Sequence, residues 1–329
     1  MKKQPTEFAI IKALKESGSA HVSGELLARK SSISRAAIWK HISNLRKKGY
    51  DIEAVPRLGY RLVSHPDLLL AEEIMPVLKT KVLGKKIVYK YSIGSTNTLA
   101  KELASKCEKE GTVVIAEEQS HGKGRLDRKW VSPAGGIWLS VILRPLMVPS
   151  EASRFTLLAA VSVARAVEEL GLKPQIKWPN DVLIDGKKIC GILLELSAQP
   201  ERVDYLVIGF GINANIDINQ LPVDSRSGAT SLSAVLGRKI NRRTFVANLL
   251  LGLEEDYARL MKGDWMGILA EWTKRCGMLN KAVSLSTLQG VVEGQFIGVD
   301  DFGAMRLELP SGEVKTFAAG DVTVKKRLT

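Results

Sequence analysis

The 329-residue sequence predicts an α+β protein built from three parts, and three patterns carry this prediction. Apolar residues recur at helical spacing as far as residue 48, and a short alternating segment follows them. Residues 87–276 mix strand and helix patterns, whereas residues 282–325 show short strand patterns separated by glycine turns. We therefore expect a winged helix-turn-helix over residues 1–65, a mixed α/β domain over residues 66–277 and a small β-barrel over residues 278–329.

The N-terminal part contains three helix patterns, over residues 7–17, 23–30 and 34–48. Ser23 and Ser34 suit the N-cap positions of the second and third helices, because a serine hydroxyl accepts a hydrogen bond from a backbone N–H of the first turn. Ile38, Ile42 and Leu45 form one inward stripe of the third helix. Its basic outer face lies largely off that stripe and contains Arg35, Trp39, Lys40 and Arg46.

Basic charge is concentrated in the same part of the chain. Residues 1–65 hold thirteen Lys and Arg against five Asp and Glu, whereas the whole chain holds 48 against 35. Residues 50–63 alternate and turn at residues 56–59, which predicts a hairpin that serves as the wing. A winged helix with these charges binds DNA, with its recognition helix in the major groove and its wing on phosphates. The expected DNA contacts are Ser34, Arg35, Trp39, Lys40, Arg57 and Arg61. A helical packing module without a nucleic-acid role is the alternative.

The central and C-terminal parts show a longer series of patterns. Helices are expected over residues 69–78, 96–107, 153–170, 242–261 and 265–276. Strands are expected over residues 87–91, 112–117, 136–143, 182–184, 188–196 and 205–212, with a hairpin turn at Asp185 and Gly186. The C-terminal strands are expected over residues 282–286, 290–299, 304–309, 313–318 and 322–325.

Several classes of protein are excluded by what the sequence lacks. Cys107, Cys190 and Cys276 stand far apart without a CxxC motif, so neither a disulfide framework nor a zinc site is expected. No leader-like apolar segment and no apolar run of membrane-spanning length is present, so we expect a soluble, cytoplasmic protein. A P-loop is absent, and the glycines at 209 and 211 precede no helix pattern of the dinucleotide-binding type.

The most informative segment is the loop HGKGRLDRKW, residues 121–130. Gly122 and Gly124 expose backbone N–H groups and allow positive φ, and four cations surround them, namely Lys123, Arg125, Arg128 and Lys129. Trp130 is suited to stacking on a base. The loop therefore predicts a binding site for a polyanion, with a solvated basic hairpin as the alternative.

Two further segments carry polar groups that point to a ligand site. Pro179 sets a turn that presents Asn180 and Asp181 at the end of a strand, and the following hairpin returns Lys188 to them. Residues 94–98, GSTNT, place hydroxyl and amide groups at a helix N-terminus, where polar ligand atoms bind readily. An ordinary turn and an ordinary helix cap remain the alternatives for these two segments.

Taken in order, these segments resemble the biotin protein ligases, and with the basic N-terminal part the whole chain resembles the bifunctional members that are also biotin operon repressors. The matching strings are the Ser95-Thr96-Asn97 segment, Gln119 with Gly122-x-Gly124-Arg125 and Arg128-x-Trp130, residues 177–181, Lys188-x-x-Gly191, and Gly209-x-Gly211-Ile212-Asn213. The resemblance implies a class II synthetase-like central domain and an SH3-like C-terminal barrel. A lipoate ligase, related in fold, fits these strings less well.

The resemblance implies that the substrates are biotin and ATP with Mg²⁺, and that the acceptor is a lysine of a biotin carboxyl carrier protein. The biotin carboxylate attacks the α-phosphate to give biotinyl-5′-AMP and pyrophosphate. Such a transfer needs positioned cations rather than a protein nucleophile. The Mg²⁺ is expected to be held mainly by ATP oxygens and not by a protein metal site.

The resemblance also assigns the site residues. The catalytic residues are Lys188, Arg125 and Asp181. The biotin-binding set is Ser95, Thr96, Asn97, Gln119, Gly122, Lys123, Gly124, Arg125, Asp181, Lys188 and Gly191, and the ATP-binding and adenylate-binding set is Arg125, Arg128, Trp130, Lys188 and Asn213. Lys123 departs from the arginine that is usual in the family.

For the bifunctional members, the resemblance implies that the adenylate orders surface loops and that the ligand-bound chain forms a homodimer on operator DNA. We expect residues 120–129 and 214–231 to be the ordering segments, because both are rich in glycine and polar residues. Two alternatives stay open: a biotin-sensing regulator without catalysis, and a ligase whose N-terminal module no longer binds DNA specifically.

Overall fold

The computed structural model describes residues 6–287 and 289–325. It falls into two compact units, one extending through Val77 and the other beginning at Leu78. None of the helices in these described ranges is both long and apolar enough to cross a membrane. The predicted boundaries at residues 65 and 277 stay predictions.

The first unit confirms the winged helix-turn-helix. Its elements are α1 (Thr6–Glu16), α2 (Gly24–Ser31), α3 (Arg35–Lys47), β1 (Asp51–Val55), β2 (Gly59–Ser64) and α4 (Ala71–Ile74). Ser23 caps α2 by accepting from the Leu26 N–H, and Ser34 caps α3 by accepting from the Ala37 N–H. The stripe on α3 is buried as expected, and β1 and β2 form an antiparallel pair.

The helix predicted over residues 69–78 is wrong in its extent, because α4 covers only residues 71–74. Pro76 explains the early end. Proline has no backbone N–H, so it cannot donate to the carbonyl four residues earlier and the helix does not continue through it.

The second unit contains a seven-stranded sheet and a set of helices around it. The strands are β3 (Lys86–Ile93), β4 (Thr112–Gln119), β5 (Ile137–Leu143), β6 (Gln175–Lys177), β7 (Asp181–Ile184), β8 (Lys187–Gln199) and β9 (Arg202–Ile212). The helices are α5 (Thr96–Ser105), α6 (Ser153–Glu168), α7 (Val223–Arg226), α8 (Leu232–Leu236), α9 (Arg242–Met261) and α10 (Trp265–Arg275). The strand order is β3-β4-β5-β9-β8-β7-β6, with β3 and β4 parallel and the other neighbours antiparallel.

The strand order explains how distant segments of sequence meet. Strand β9 lies between β5 and β8, so the residues after β4, at the start of β8 and at the end of β9 lie at the same end of the sheet. Helix α6 is buried along most of its length, as its apolar sequence predicts. Asp185 and Gly186 both adopt positive φ in the predicted hairpin turn. The short strand β6 was not predicted, because three residues are too few to show alternation.

The C-terminal strands form a five-stranded antiparallel sheet. They are β10 (Ala282–Thr287), β11 (Gly290–Val299), β12 (Met305–Glu308), β13 (Val314–Phe317) and β14 (Asp321–Val324). Their order is β13-β12-β11-β10-β14, so the ladders of the described residues give an open order and the barrel description stays a prediction. The sheet packs on the central domain through the rings of Phe296 and Trp272, whose centroids lie 6.4 Å apart.

Candidate active site

The loops at this end of the central sheet enclose a cavity of about 330 Å³. Every residue that the sequence predicted to bind biotin or ATP lines it, with the exception of Gly122. Residues of the segment 214–231, which was expected to order with the ligand, also line it, among them Asp224, Ser225, Ser227, Gly228 and Ala229. Asp321 of the C-terminal sheet lines it too, although the sequence did not indicate this residue. The five sequence strings therefore converge on one site.

One corner of the cavity is built from the N-terminus of α5 and the end of β4. The Gln119 side-chain oxygen accepts from the Thr96 N–H at 2.8 Å and from the Thr96 hydroxyl at 3.0 Å. The Gln119 amide nitrogen donates to the Ser132 hydroxyl at 2.8 Å. Ser95 occupies the N-cap position but makes no capping hydrogen bond with its side chain. The helix N-terminus is thus satisfied by Gln119, and the Ser95 hydroxyl is available to a ligand.

The two glycines of the loop serve close packing and not a left-handed backbone. Neither Gly122 nor Gly124 has a positive φ, so that part of the prediction is wrong. A Cβ at Gly122 would lie 2.3 Å from the Trp130 carbonyl oxygen, which explains why glycine is required there. The left-handed residues are Leu126 and Asp127, at φ of 54° and 55°. Leu126 has a Cβ that makes this backbone costly, by roughly 1–2 kcal/mol for an L-residue.

The Trp130 indole lies on a glycine platform at the floor of the cavity. A Cβ at Gly211 would come within 2.5 Å of the indole nitrogen, and one at Gly191 within 2.9 Å of the ring. Gly191 and Gly211 are directly paired across β8 and β9, so the platform is flat. The ring also contacts the edge of Trp138 at a centroid separation of 6.5 Å. The aromatic position predicted for base stacking therefore faces the cavity.

The cationic centre of the cavity is the pair of Lys188 and Asp181. The Lys188 ammonium lies 2.6 Å from an Asp181 carboxylate oxygen and 5.0 Å from the centroid of the Trp130 ring. This geometry results from the tight hairpin of β7 and β8, as the sequence predicted. Asn180 holds the turn by donating from its side chain to the Ile192 carbonyl at 2.8 Å.

Arg125 is the second cation at this centre. Its guanidinium donates to the Asn180 side-chain oxygen at 3.2 Å and to the Gly320 carbonyl at 3.5 Å. Burial lowers the pKa of Arg125, although the nearby Asp321 and Asp181 carboxylates act in the opposite direction. A guanidinium with a pKa shifted from such a high starting value stays charged at neutral pH.

The C-terminal sheet contributes to the site through residues 320 and 321. Arg128 forms an ion pair with Asp321, in addition to the contact of Arg125 with Gly320. The Trp178 indole, in the turn before Asn180, donates to the Gly303 carbonyl at 2.9 Å. The only local sign of this role in the sequence is the Gly-Asp pair at the start of the last strand, which is too common to be informative.

Asn213 plays a bracing role at the edge of the cavity. It is 3% exposed, and its side chain donates to the Thr230 carbonyl at 3.0 Å. The same segment is tied to β8, since the Lys188 N–H donates to the Gly228 carbonyl at 2.7 Å. Asn213 and the backbone of Lys188 therefore hold residues 228–230 against the cavity.

The predicted DNA face is exposed on α3 and on the hairpin of β1 and β2. Trp39 is 67% exposed, and Arg35, Lys40 and Arg57 are exposed as well. Arg61 forms an ion pair with Glu53 at 2.7 Å. Arg46 is exposed as well, as expected, and its guanidinium donates to the Ile52 carbonyl at 2.9 Å, which braces the wing.

Three family models match the chain. Residues 89–213 match the biotin/lipoate A/B protein ligase family, residues 6–61 match an HTH domain, and residues 278–325 match the biotin protein ligase C-terminal domain. The three matches follow the same order as the three predicted parts.

Known relatives match nearly the whole chain. The bifunctional ligase/repressor BirA of Bacillus subtilis (strain 168) is 40% identical over 312 residues, which cover 94% of this chain and 96% of the relative. The BirA of Escherichia coli (strain K12) is 32% identical and covers 95% of each chain. The structure of a biotin protein ligase from Aquifex aeolicus in complex with biotin and ATP superposes with a TM-score of 0.63 at 27% identity, covering 74% of this chain and 99% of that one. The chain therefore belongs to the biotin protein ligase family, in the branch of the bifunctional ligase/repressors.

Proposed function

We propose that this protein is an ATP-dependent biotin–[carboxyl carrier protein] ligase that is also a biotin-responsive transcriptional repressor. The observation that carries the proposal is the single cavity in which the Ser95-Thr96-Asn97 corner, the basic loop and the pair of Lys188 and Asp181 meet. The family membership and the winged helix support the same conclusion.

The polar corner is suited to the ureido ring of biotin. A ureido group presents two N–H donors and one carbonyl acceptor, and the corner offers the hydroxyls of Ser95 and Thr96. We propose that backbone N–H groups of the loop around Gly122 and Lys123 complete this set. Gln119 contributes by holding Thr96 in place. At Lys123, a point charge replaces the usual guanidinium, and we propose that this position acts through its backbone.

The cations are suited to the adenylation step. A biotin carboxylate oxygen bonds to the α-phosphorus of ATP as the bond to pyrophosphate breaks, and negative charge grows on the phosphoryl oxygens. Lys188 and Arg125 lie where they stabilise this charge, and Asp181 orients Lys188 from 2.6 Å. In the second step the carrier lysine amine attacks the acyl carbon, AMP departs with the bonding electrons, and the amine loses a proton.

The nucleotide side of the site is formed by Arg128, Trp130 and the segment that Asn213 braces. We propose that Arg128 contacts phosphate and that Trp130 stacks on adenine. The described residues contain no cluster of three side chains able to hold a metal ion. We propose that Mg²⁺ enters with the MgATP substrate and is held mainly by phosphate oxygens.

The first unit is suited to operator DNA through Ser34, Arg35, Trp39, Lys40, Arg57 and Arg61, which lie on the recognition helix and the wing. We propose that the adenylate-bound chain forms the homodimer that binds a palindromic site. A dimer supplies two recognition helices, whose spacing selects such a site.

One preparation of purified protein tests both activities. With biotin and MgATP, the protein is expected to exchange pyrophosphate into ATP, to biotinylate a carrier domain, and to shift DNA from upstream of biotin genes only when biotin is present. A biotin-dependent DNA shift without pyrophosphate exchange would instead identify a non-catalytic regulator. Carrier biotinylation without any specific shift would identify a ligase with a silent N-terminal module.

A further inference from the structure

A second layer of polar side chains lies beneath the ureido corner, deeper in the central sheet. It consists of Ser140 on β5, Asn97 on α5 and Glu195 on β8. Ser140 is fully buried and Asn97 is 4% exposed. Space for the Asn97 side chain depends on Gly209, where a Cβ would lie 2.1 Å from the amide oxygen. In a buried polar layer of this kind, each donor hydrogen is expected to have an acceptor, so the direction of each hydrogen bond can be worked out.

Glu195 fixes the orientation of the Asn97 amide. One end of that amide lies 2.8 Å from a Glu195 carboxylate oxygen and 3.4 Å from the Leu193 carbonyl oxygen. Both of these neighbours are acceptors, so the amide end that faces them must be the NH₂ donor. The amide oxygen therefore points the other way, toward Ser140.

The orientation of Asn97 in turn fixes the Ser140 proton. The Ser140 hydroxyl lies 2.6 Å from the Asn97 amide oxygen, a separation that requires a hydrogen between the two oxygens. The amide oxygen has no proton to give, so Ser140 donates to Asn97. Ser140 carries one proton only, and it therefore cannot also donate to Thr96, whose hydroxyl lies 2.8 Å away.

The same reasoning determines what Thr96 presents to the cavity. Its proton is directed at Ser140 or at the Gln119 oxygen, and within the described part of the chain no side chain donates to its oxygen. The Thr96 oxygen then faces the ligand as an acceptor. A ureido N–H is the matching donor.

Glu195 is held in its charged form by a neighbour on the outer side. The Lys101 ammonium donates to the second carboxylate oxygen at 2.7 Å. Burial alone would raise the pKa of Glu195, but the hydrogen bonds from Lys101 and Asn97 outweigh it and leave the pKa below its usual value. An ionised carboxylate can only accept, so the polarity of the chain of hydrogen bonds cannot reverse.

We propose that Glu195 is a positioning residue of the ureido site, which acts through Asn97 and Ser140 to fix the Thr96 hydroxyl as the acceptor for one ureido N–H of biotin. The proposal rests on the proposed function, because it requires biotin as the ligand.

Direct binding of biotin to the full chain, measured by calorimetry without ATP, tests this proposal. Glu195→Ala leaves the Asn97 amide able to rotate, and we expect about a tenfold loss of biotin affinity, typical of one misplaced hydrogen bond. Glu195→Gln has one acceptor oxygen for the two donors Lys101 and Asn97, so its biotin affinity is expected to lie between those of Glu195→Ala and the native chain. Lys101→Ala removes only a partly exposed ion pair and is expected to have a smaller effect than Glu195→Ala.

Biotin analogues methylated at one or the other ureido nitrogen separate positioning from general damage to the fold. The native chain is expected to penalise the isomer that loses the N–H facing Thr96, and Glu195→Ala is expected to shrink that penalty. An equal loss of affinity for biotin and for both isomers, or an unchanged affinity for biotin, would overturn the proposal. Ser140→Ala removes the hydroxyl that would donate to Thr96 if the Asn97 amide rotated, so it is expected to keep the native penalty, alone and in combination with Glu195→Ala. Loss of the penalty in Ser140→Ala would contradict the proposal, and this variant provides a second test if Glu195→Ala does not fold. If the native chain binds no biotin, the proposed function fails and this inference fails with it.

Discussion

Among single residues, Lys188 is the one that we expect to contribute most to the adenylation reaction. Its ammonium is the cation that Asp181 aims into the cavity, and its backbone also holds residues 228 and 230. Alanine keeps the backbone hydrogen bonds and removes the ammonium together with its aliphatic chain. We therefore expect the side chain to act in the transfer step, whereas the main chain supports the fold.

We expect Lys188→Ala to lower biotin-dependent ATP–pyrophosphate exchange by about 10²–10³-fold, the usual effect of removing one preorganised group that stabilises transition-state charge. The thermal midpoint of unfolding should stay close to the native value, because no core volume is lost. Lys187→Ala, which changes the exposed residue next to it, is the matched control and should keep its exchange rate. Native exchange in Lys188→Ala would remove the residue from the reaction.

At the scale of secondary-structure elements, α9 is fastened to the sheet by a buried charge. Arg242 at its N-terminus is 2% exposed, pairs with Glu117 of β4 at 2.9 Å and donates to the Gly136 carbonyl at 2.7 Å. Replacing Arg242 removes the cation of this pair from the buried Glu117 carboxylate. Such changes cost more than the loss of the attraction itself.

We expect Arg242→Met to lower the free energy of unfolding by about 3–5 kcal/mol, measured by chemical denaturation. Lys239→Met changes an exposed residue of the preceding turn and should stay within about 0.5 kcal/mol. A loss for Arg242→Met no larger than that of the control would show that the pair contributes nothing to stability.

The recognition helix carries a prediction of the opposite kind, in which binding changes and stability does not. Arg35 is exposed in the first turn of α3. Arg35→Ala should weaken operator binding by about 1–3 kcal/mol, measured by gel shift at fixed salt, and leave carrier biotinylation unchanged. Lys12→Ala, on an exposed position of α1, is the control for net charge. Equal weakening by both variants would mean that α3 is not the reading element.

The secondary-structure elements also show which features of the fold can be predicted from the sequence. The caps at Ser23 and Ser34 and the turn at Asp185 and Gly186 were predicted, because each depends on residues within a few positions. The segments that line the cavity were found for the same reason, since each is a local string. The extent of α4 was not predicted correctly, although Pro76 in the sequence indicated where the helix would end.

Contacts between distant strands could not be predicted in the same way. The pairing of Asn97 with Glu195 joins residues 98 positions apart, and the contact of Arg125 with Gly320 joins residues 195 apart. No local pattern determines such a pair, because it depends on strand order. One signal was present for the buried layer: Ser140 is the polar residue in the otherwise apolar strand β5.

For the molecule as a whole, the basic loop is restrained by the C-terminal sheet, and we propose that it also responds to the ligand. Arg128 is paired with Asp321, and Arg125 contacts Gly320, so two of its cations are tied to β14 and the residue before it. A phosphate in the cavity adds a further partner for the same cations. The contacts with Gly320 and Asp321 oppose opening of the loop in the unliganded chain. A bound phosphate is expected to oppose it further.

We expect biotin with MgATP to slow tryptic cleavage at Arg125, Arg128 and Lys129, because opening of the loop then costs the bound ligand's contacts as well. Asp321→Ala should speed cleavage of the unliganded chain by a few-fold at most, since a partly exposed ion pair contributes about 0–1 kcal/mol. Glu313→Ala, which removes an exposed carboxylate from the same sheet, should leave the rate unchanged. Equal cleavage of the native loop with and without the two substrates would contradict ligand-driven ordering, and with it the proposed route by which the cavity reports biotin to the DNA-binding unit.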